Sequence, residues 1–276
     1  MTRWLLLPFW LLLAGCEFFQ PGGEVPSYVQ IASFTFSAGP GQGSSSQRIT
    51  DVWLYDEADF IGAFELPRTI PVLRSGASSL YLLAGIWDNG ISEVRVPYPF
   101  YQPDTVLAQL VAGQVTSVTP TFTYRKATRF HFIEDFEAGN LFSFTGGDTM
   151  LMRQSQEIFE GSYSAALYLD KAARAYEGRS PAYTLPLGEP VYVELNYRCD
   201  HPFQVGLLGT KQGINTYFYK WNINPKPYWN KIYLNLGRDV NEMQADQYHI
   251  LLRAVLDTAA FTQAAIYLDN IKLVSF

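Results

Sequence analysis

From Tyr28 onward the chain is built of short runs in which apolar and polar residues alternate, cut by clusters of Gly, Pro, Asn and Asp. Alternation with period two puts one apolar row on one face of a strand. "SYVQIASFTF" alternates up to Phe36, and "SAGPGQGSSSQ", Ser37 to Gln47, has the composition of a loop. "RITDVWLY", the turn "DEAD" and "FIGAFEL" form an expected hairpin. "SSLYLLAGIW", "SEVRVPYPFY" and "QVTSVTPTFTY" are further strands, with "DNG" at Asp88 to Gly90 a tight-turn signal. About seven short strands without a helical period predict a β-sandwich of about one hundred residues. It covers 28–125.

A boundary falls at the short basic stretch Arg125 to Arg129. Beyond it, "FHFIEDFEAGNLFSFTGGD", "EIFEGSYSAALYLD", "PVYVELNYRCD" and "AAIYLDNIKLVSF" again read as strands. "DVNEMQADQ", Asp239 to Gln247, reads as a loop with about one helical turn. The most aromatic stretch is "YFYKWNINPKPYWNKIYLNL", Tyr217 to Leu236. Strand alternation groups Tyr217, Tyr219, Trp221 and Ile223 on one face, and Phe218, Lys220, Asn222 and Asn224 on the other. "NPKP" ends that strand, because proline cannot donate to a ladder. In the next strand Ile232, Leu234 and Leu236 form a core face, and Lys231, Tyr233 and Asn235 a mixed outer face. Apolar mass favours burying the Tyr217, Tyr219, Trp221 row. If Phe218 alone points inward, the same row is exposed and is a candidate platform for stacking sugar rings.

Composition supports buried, folded modules: hydrophobic residues make up 48% of the 276 residues and charged residues 17%. The net charge is −6, and the densest positive run holds three charges, so nucleic-acid binding is disfavoured. Two cysteines are present, Cys16 and Cys199. Cys199 lacks an intrachain partner if Cys16 is used elsewhere, and reads as a buried small hydrophobe.

"MTRWLLLPFWLLLAGC" has the three parts of a secretory signal: Arg3, the apolar run Trp4 to Leu13, and small residues before Cys16. The run of about ten residues is half of what a bilayer span needs. Leu13-Ala14-Gly15-Cys16 resembles the lipobox of bacterial lipoproteins. The resemblance implies that 1–15 is a cleaved signal peptide and that Cys16 is acylated and anchors the chain to a lipid bilayer. Residues 16–27 are then a lipidated tether. Two or more acyl chains make such an anchor durable. Glu17, in place of the Asp that retains many Gram-negative lipoproteins at the inner membrane, points to the outer membrane. The acidic residues Glu17 and Glu24 partly match the surface-export signal of Bacteroidetes-type bacteria. The periplasmic or surface side stays open.

The rhythm of 28–125 resembles small immunoglobulin-like or transthyretin-like modules near bacterial membranes. In 130–276, the opening "EDFE", the middle "GSYSAALYL", the "LPLGEP" turn, the Trp of "YWNKIYLNL" and the closing "YLDNIKL" resemble β-jelly-roll modules of the carbohydrate-binding (galactose-binding-like) type. The expected fold class is therefore all-β, a small sandwich followed by a jelly roll whose last strand pairs near its first. The resemblance also implies a structural calcium held by an opening acid and a closing Asp, for which Glu137 and Asp269 are the matching positions.

Catalytic chemistry is weakly represented. His131, His201 and His249 are far apart and show no metal-ligand spacing, and no G-x-S-x-G elbow occurs. Glu134, Asp135 and Glu137 cluster, yet glycosidase carboxylates pair in space rather than in sequence. The expectation is a non-catalytic envelope lipoprotein. Its jelly roll binds a glycan, or alternatively its modules dock onto another envelope protein with no small ligand.

Overall fold

A computed structural model describes residues 24–276. The expected signal segment and Cys16 lie outside the described residues. Among these residues the fold is all-β apart from the seven-residue helix Gly237–Met243.

The first module is built from short strands between Ser27 and Tyr124. The hairpin Asp51–Asp56 and Asp59–Glu65 turns through Glu57, whose φ is +55°. Gly76–Trp87 lies beside it and pairs in turn with Arg95–Pro97 and Asp104–Leu110. Two three-stranded sheets close the other side. Alternation along these strands sends Val52, Leu54, Leu80, Leu82 and Ile86 into one core, where they meet Val29, Ile31, Ile70 and Phe122. "SYVQIASFTF" is two strands rather than one, Ser27–Ile31 and Thr35–Ser37, each pairing with a different partner.

The second module stacks two sheets. One runs in the order Ser143–Gly147, Ala175–Arg179, Gln247–Val255, Phe203–Lys211, Ile214–Ile223. The other runs Met152–Gln154, Ser164–Asp170, Gln263–Ser275, Val191–Cys199, Lys226–Asn235, and Arg129–Glu134 also pairs with Gln263–Ser275. The first and last strands of the module thus pair, from Arg129↔Ser275 to Glu134↔Ile271. Leu207, Ile250 and Tyr248 from one sheet interlock with Val193, Leu234 and Leu273 from the other. "DVNEMQADQ" contributes the end of the helix, which stops at Gln244 in a left-handed conformation.

The expected outer face of Lys231, Tyr233 and Asn235 does not meet solvent, because the first module covers it. Tyr192, Tyr233 and Val274 of the six-stranded sheet belong to the first module's core. Beneath them lies a buried polar cluster. Glu194 is fully buried and accepts hydrogen bonds from the Tyr98 hydroxyl (2.8 Å) and the Tyr124 hydroxyl (2.8 Å). Lys231 Nζ stands 2.8 Å from the Glu194 carboxylate, a charge contact out of hydrogen-bond alignment. Lys272 Nζ donates to the Ser44 carbonyl at 2.6 Å and to the Tyr124 hydroxyl at 3.2 Å. Burial pushes the Glu194 carboxyl up, but the two ammonium groups outweigh it and hold the group below its usual range.

The "DNG" turn has a second role at this interface. The Asp88 carboxylate accepts from Tyr192, and Asn89 Oδ1 accepts both from Trp221 Nε1 (2.8 Å) and from the Asn235 amide (2.9 Å). Gly90 has φ +72°, and a Cβ there would come within 2.7 Å of Ile232. The turn is a plug seated in the second module; its left-handed backbone favours glycine, and a Cβ would also press on the end of the Ile232 side chain.

Candidate functional site

The outward face of the five-stranded sheet carries a groove of about 410 Å³. It is lined by residues from all five strands, among them Glu177, Arg179, Leu208, Tyr217, Tyr219 and Arg253. Cross-strand register explains the layout. Arg179 faces Leu251, Leu251 faces Gly206, and Gly206 faces Tyr219, so these four form one line across the sheet. Leu208 and Tyr217 are paired one step along. The alternation that buries Tyr248, Ile250 and Leu252 turns Leu251 and Arg253 outward.

A β-bulge decides the fate of the aromatic row. Val205 pairs with Trp221, but its neighbour Gly206 pairs with Tyr219, leaving Lys220 as the extra residue. The bulge inverts the alternation at that point. Tyr217 (67% exposed) and Tyr219 therefore face the groove, Phe218 packs on the core, and Trp221 (6% exposed) points inward. The three residues do not share a face. Trp221 is a core residue whose indole N–H holds the Asn89 plug, and it does not join the two tyrosines. Lys220 is drawn away to the helix, where it pairs with Asp239 at 2.7 Å.

Gly206 has a specific role here. A Cβ would stand 2.4 Å from the Phe218 carbonyl oxygen and 2.8 Å from the Tyr219 ring, so the bare backbone lets the ring settle against the sheet. Burial pushes the Tyr219 hydroxyl up to about 12, with the Glu177 charge adding to it. The tyrosine stays a neutral donor and acceptor throughout the physiological range.

Beside the tyrosines runs a polar ladder. Arg253 Nε stands 2.9 Å from Glu177 Oε1 without hydrogen-bond alignment, Arg253 Nη1 donates to Gln204 Oε1 at 3.3 Å, and Gln204 Nε2 donates to Asn222 Oδ1 at 2.8 Å. The Arg253 guanidinium also lies 5.4 Å from the Tyr219 ring centre. A groove with one exposed and one half-buried aromatic ring, an apolar floor and a row of donors and acceptors can hold a ring that is apolar on its face and polar at its edge.

Glu137 and Asp269 come to one loop. The Glu137 carboxylate accepts from the amides of Ser162 (2.7 Å) and Tyr163 (2.9 Å), which holds it below its usual range. Asp269, fully buried, accepts from the amides of Glu160 (3.3 Å) and Asn270 (2.8 Å). Burial nonetheless pushes its carboxyl up to about 7. Among the described residues no three His, Cys, Asp or Glu side chains are grouped to hold a metal. The oxygen donors suit calcium in kind, and backbone or water oxygens would have to complete its shell. Cys199 is buried, and burial pushes its thiol up to about 11.

Sequence reading did not find Glu177, Arg179, Gln204 or Arg253. A signal was present in "HILLRAV", where an Arg interrupts an apolar strand and marks the face turned to water.

No family model matches the chain, and no curated protein does. Among solved structures, it is similar to a family 22 xylan-binding domain of Paenibacillus barcinonensis (14% identity, TM-score 0.41, covering 55% of this chain and 97% of that one). It is also similar to a family 22 carbohydrate-binding module of Clostridium thermocellum (14% identity, TM-score 0.36, 52% and 91%). A third is the enzymatically active domain of a bacteriophage CBA120 tailspike protein (12% identity, TM-score 0.39, 58% and 26%). At these scores the likeness carries no functional conclusion, and the class is defined by the chain's own strands: a protein of two β-sandwich modules, the second a jelly roll with a groove on its outward sheet.

Proposed function

We propose that the second module is a non-catalytic glycan-binding module, and that acylated Cys16 holds the protein at the outer membrane of a bacterial envelope. The observation that carries the binding reading is the pair Tyr217 and Tyr219, brought to one side of a bulged strand beside the Gln204, Asn222, Arg253 ladder. An exposed Tyr217 and a half-buried Tyr219 in a groove offer wide, rigid contact area at low entropic cost. The membrane reading is supported by the lipobox and tether alone. The test is affinity electrophoresis against a panel of plant and bacterial polysaccharides. Tyr217→Ala and Tyr219→Ala should each weaken binding about tenfold, as expected for an aromatic anchor. Retention of full affinity by the double variant would remove the groove from consideration.

One observation favours the docking reading. On the first module, Phe60, Tyr55 and Tyr81 form a cross-strand aromatic row on a sheet face open to water, with ring centres 5.0 and 6.1 Å apart. Cross-linking in whole envelopes, with and without Phe60→Glu, tests that surface separately.

A further inference from the structure

We infer that the groove takes an acidic polysaccharide, one whose sugar units carry a carboxylate or a sulfate, and that Arg179 is the group that reads the charge. This rests on the glycan reading above and adds the ligand class to it.

The charges in the groove do not balance. Glu177 and Arg253 neutralise each other at 2.9 Å. Arg179 also lines the groove, yet among the described residues it has no carboxylate within ion-pair distance. The local excess of one positive charge stands in a chain whose net charge is −6, so it is not part of a generally cationic surface. None of the other lining residues, Thr145, Leu208, Asn215, Tyr217, Tyr219 and Leu251, is an Asp, Glu, Lys or Arg.

The position of Arg179 suits this role. It stands at one end of the line Arg179, Leu251, Gly206, Tyr219. Three strand spacings, about 14 Å, separate the backbones at its two ends. The Tyr219 ring settles over Gly206 and Leu251 lies low and buried, so no tall side chain stands between that ring and Arg179 along this line. A sugar stacked on Tyr219 therefore has a neighbour, or its own substituent, directed toward the guanidinium. A guanidinium presents a planar fork that matches carboxylate and sulfate oxygens in pairs, and it is more weakly hydrated than an ammonium, so it loses less than a lysine would on leaving water.

The experiment uses the full chain in detergent, by affinity electrophoresis in gels containing polygalacturonate, dextran sulfate or neutral galactan. At least one acidic polymer should retard the protein more strongly than galactan. Arg179→Gln should lower the ratio of acidic to neutral affinity about fivefold, and Arg179→Lys should restore part of it, since an exposed charge pair contributes modestly. Added salt should weaken acidic binding more in the parent than in Arg179→Gln. An unchanged ratio in Arg179→Gln overturns the assignment of Arg179. Galactan binding as tight as acidic binding overturns the ligand class and leaves the glycan reading standing. No retardation by any polymer in the broad panel overturns the glycan reading, and this inference with it.

Discussion

Replacing Glu194 by Gln keeps the shape of a side chain that is fully buried between the modules but removes its charge. Two ammonium groups, Lys231 and Lys272, are then left buried without the carboxylate they share. Breaking a buried ion pair on one side costs about 3–5 kcal/mol, because the remaining charge cannot return to water. For a chain of this size each kcal/mol lowers the melting temperature by about 2–4 °C, so a fall of about 6–20 °C is expected. Calorimetry on the full chain in detergent measures it. The loss should also depend on pH. Burial already holds Lys272 down at about 8, with Glu194 pulling the other way. Without Glu194 it falls further and the folded protein sheds that proton. The unfolded chain then binds more protons than the folded variant at pH values where the parent still holds that proton, so the deficit of Glu194→Gln should shrink as pH rises toward about 8 and level off above it. Adding Lys231→Met to Glu194→Gln removes one unpaired charge and should recover part of the loss. A single-variant fall under about 3 °C, or a second substitution that only adds its own loss, would refute the charge argument.

Gly90→Ala should destabilise by about 1–2 kcal/mol, from the left-handed backbone and the approach to Ile232, and Asn89→Ala should loosen the same plug; both are read by calorimetry. Asp269, raised to about 7, binds its proton more tightly in the folded state. Its contribution is therefore full at low pH and lost as pH rises through that value, and Asp269→Asn should flatten the melting-temperature slope between pH 5.5 and pH 8. If calcium sits between Glu137 and Asp269, chelation should lower the melting temperature at pH 8; no shift, with no calcium by elemental analysis, would remove the metal. Cys16→Ser should release the protein from the membrane fraction, and continued co-sedimentation with membranes would contradict lipid anchoring.

Alternation alone was enough to reach an all-β chain, because a period of two needs only a strand and a core to explain it. It located the hairpin around Glu57 and the core face of Ile232, Leu234 and Leu236, while the pairing of the last strand with the first was implied by the jelly-roll resemblance. The same rule failed at Trp221. It assumes unbroken pleating, and one extra residue at Lys220 reverses every side chain beyond it. A bulge is a property of two paired strands, and it leaves no mark in the periodicity of one. The face of Lys231 and Tyr233 was misread for a related reason. Each looks like a half-polar surface within its own module, and only the packing of a second module buries it. The groove had the same obstacle: Glu177, Gln204 and Arg253 lie on three different strands, and sheet order alone makes them neighbours. Local chemistry wrote the strands, whereas pairing between distant segments decided which residues face water, and so which could meet a ligand.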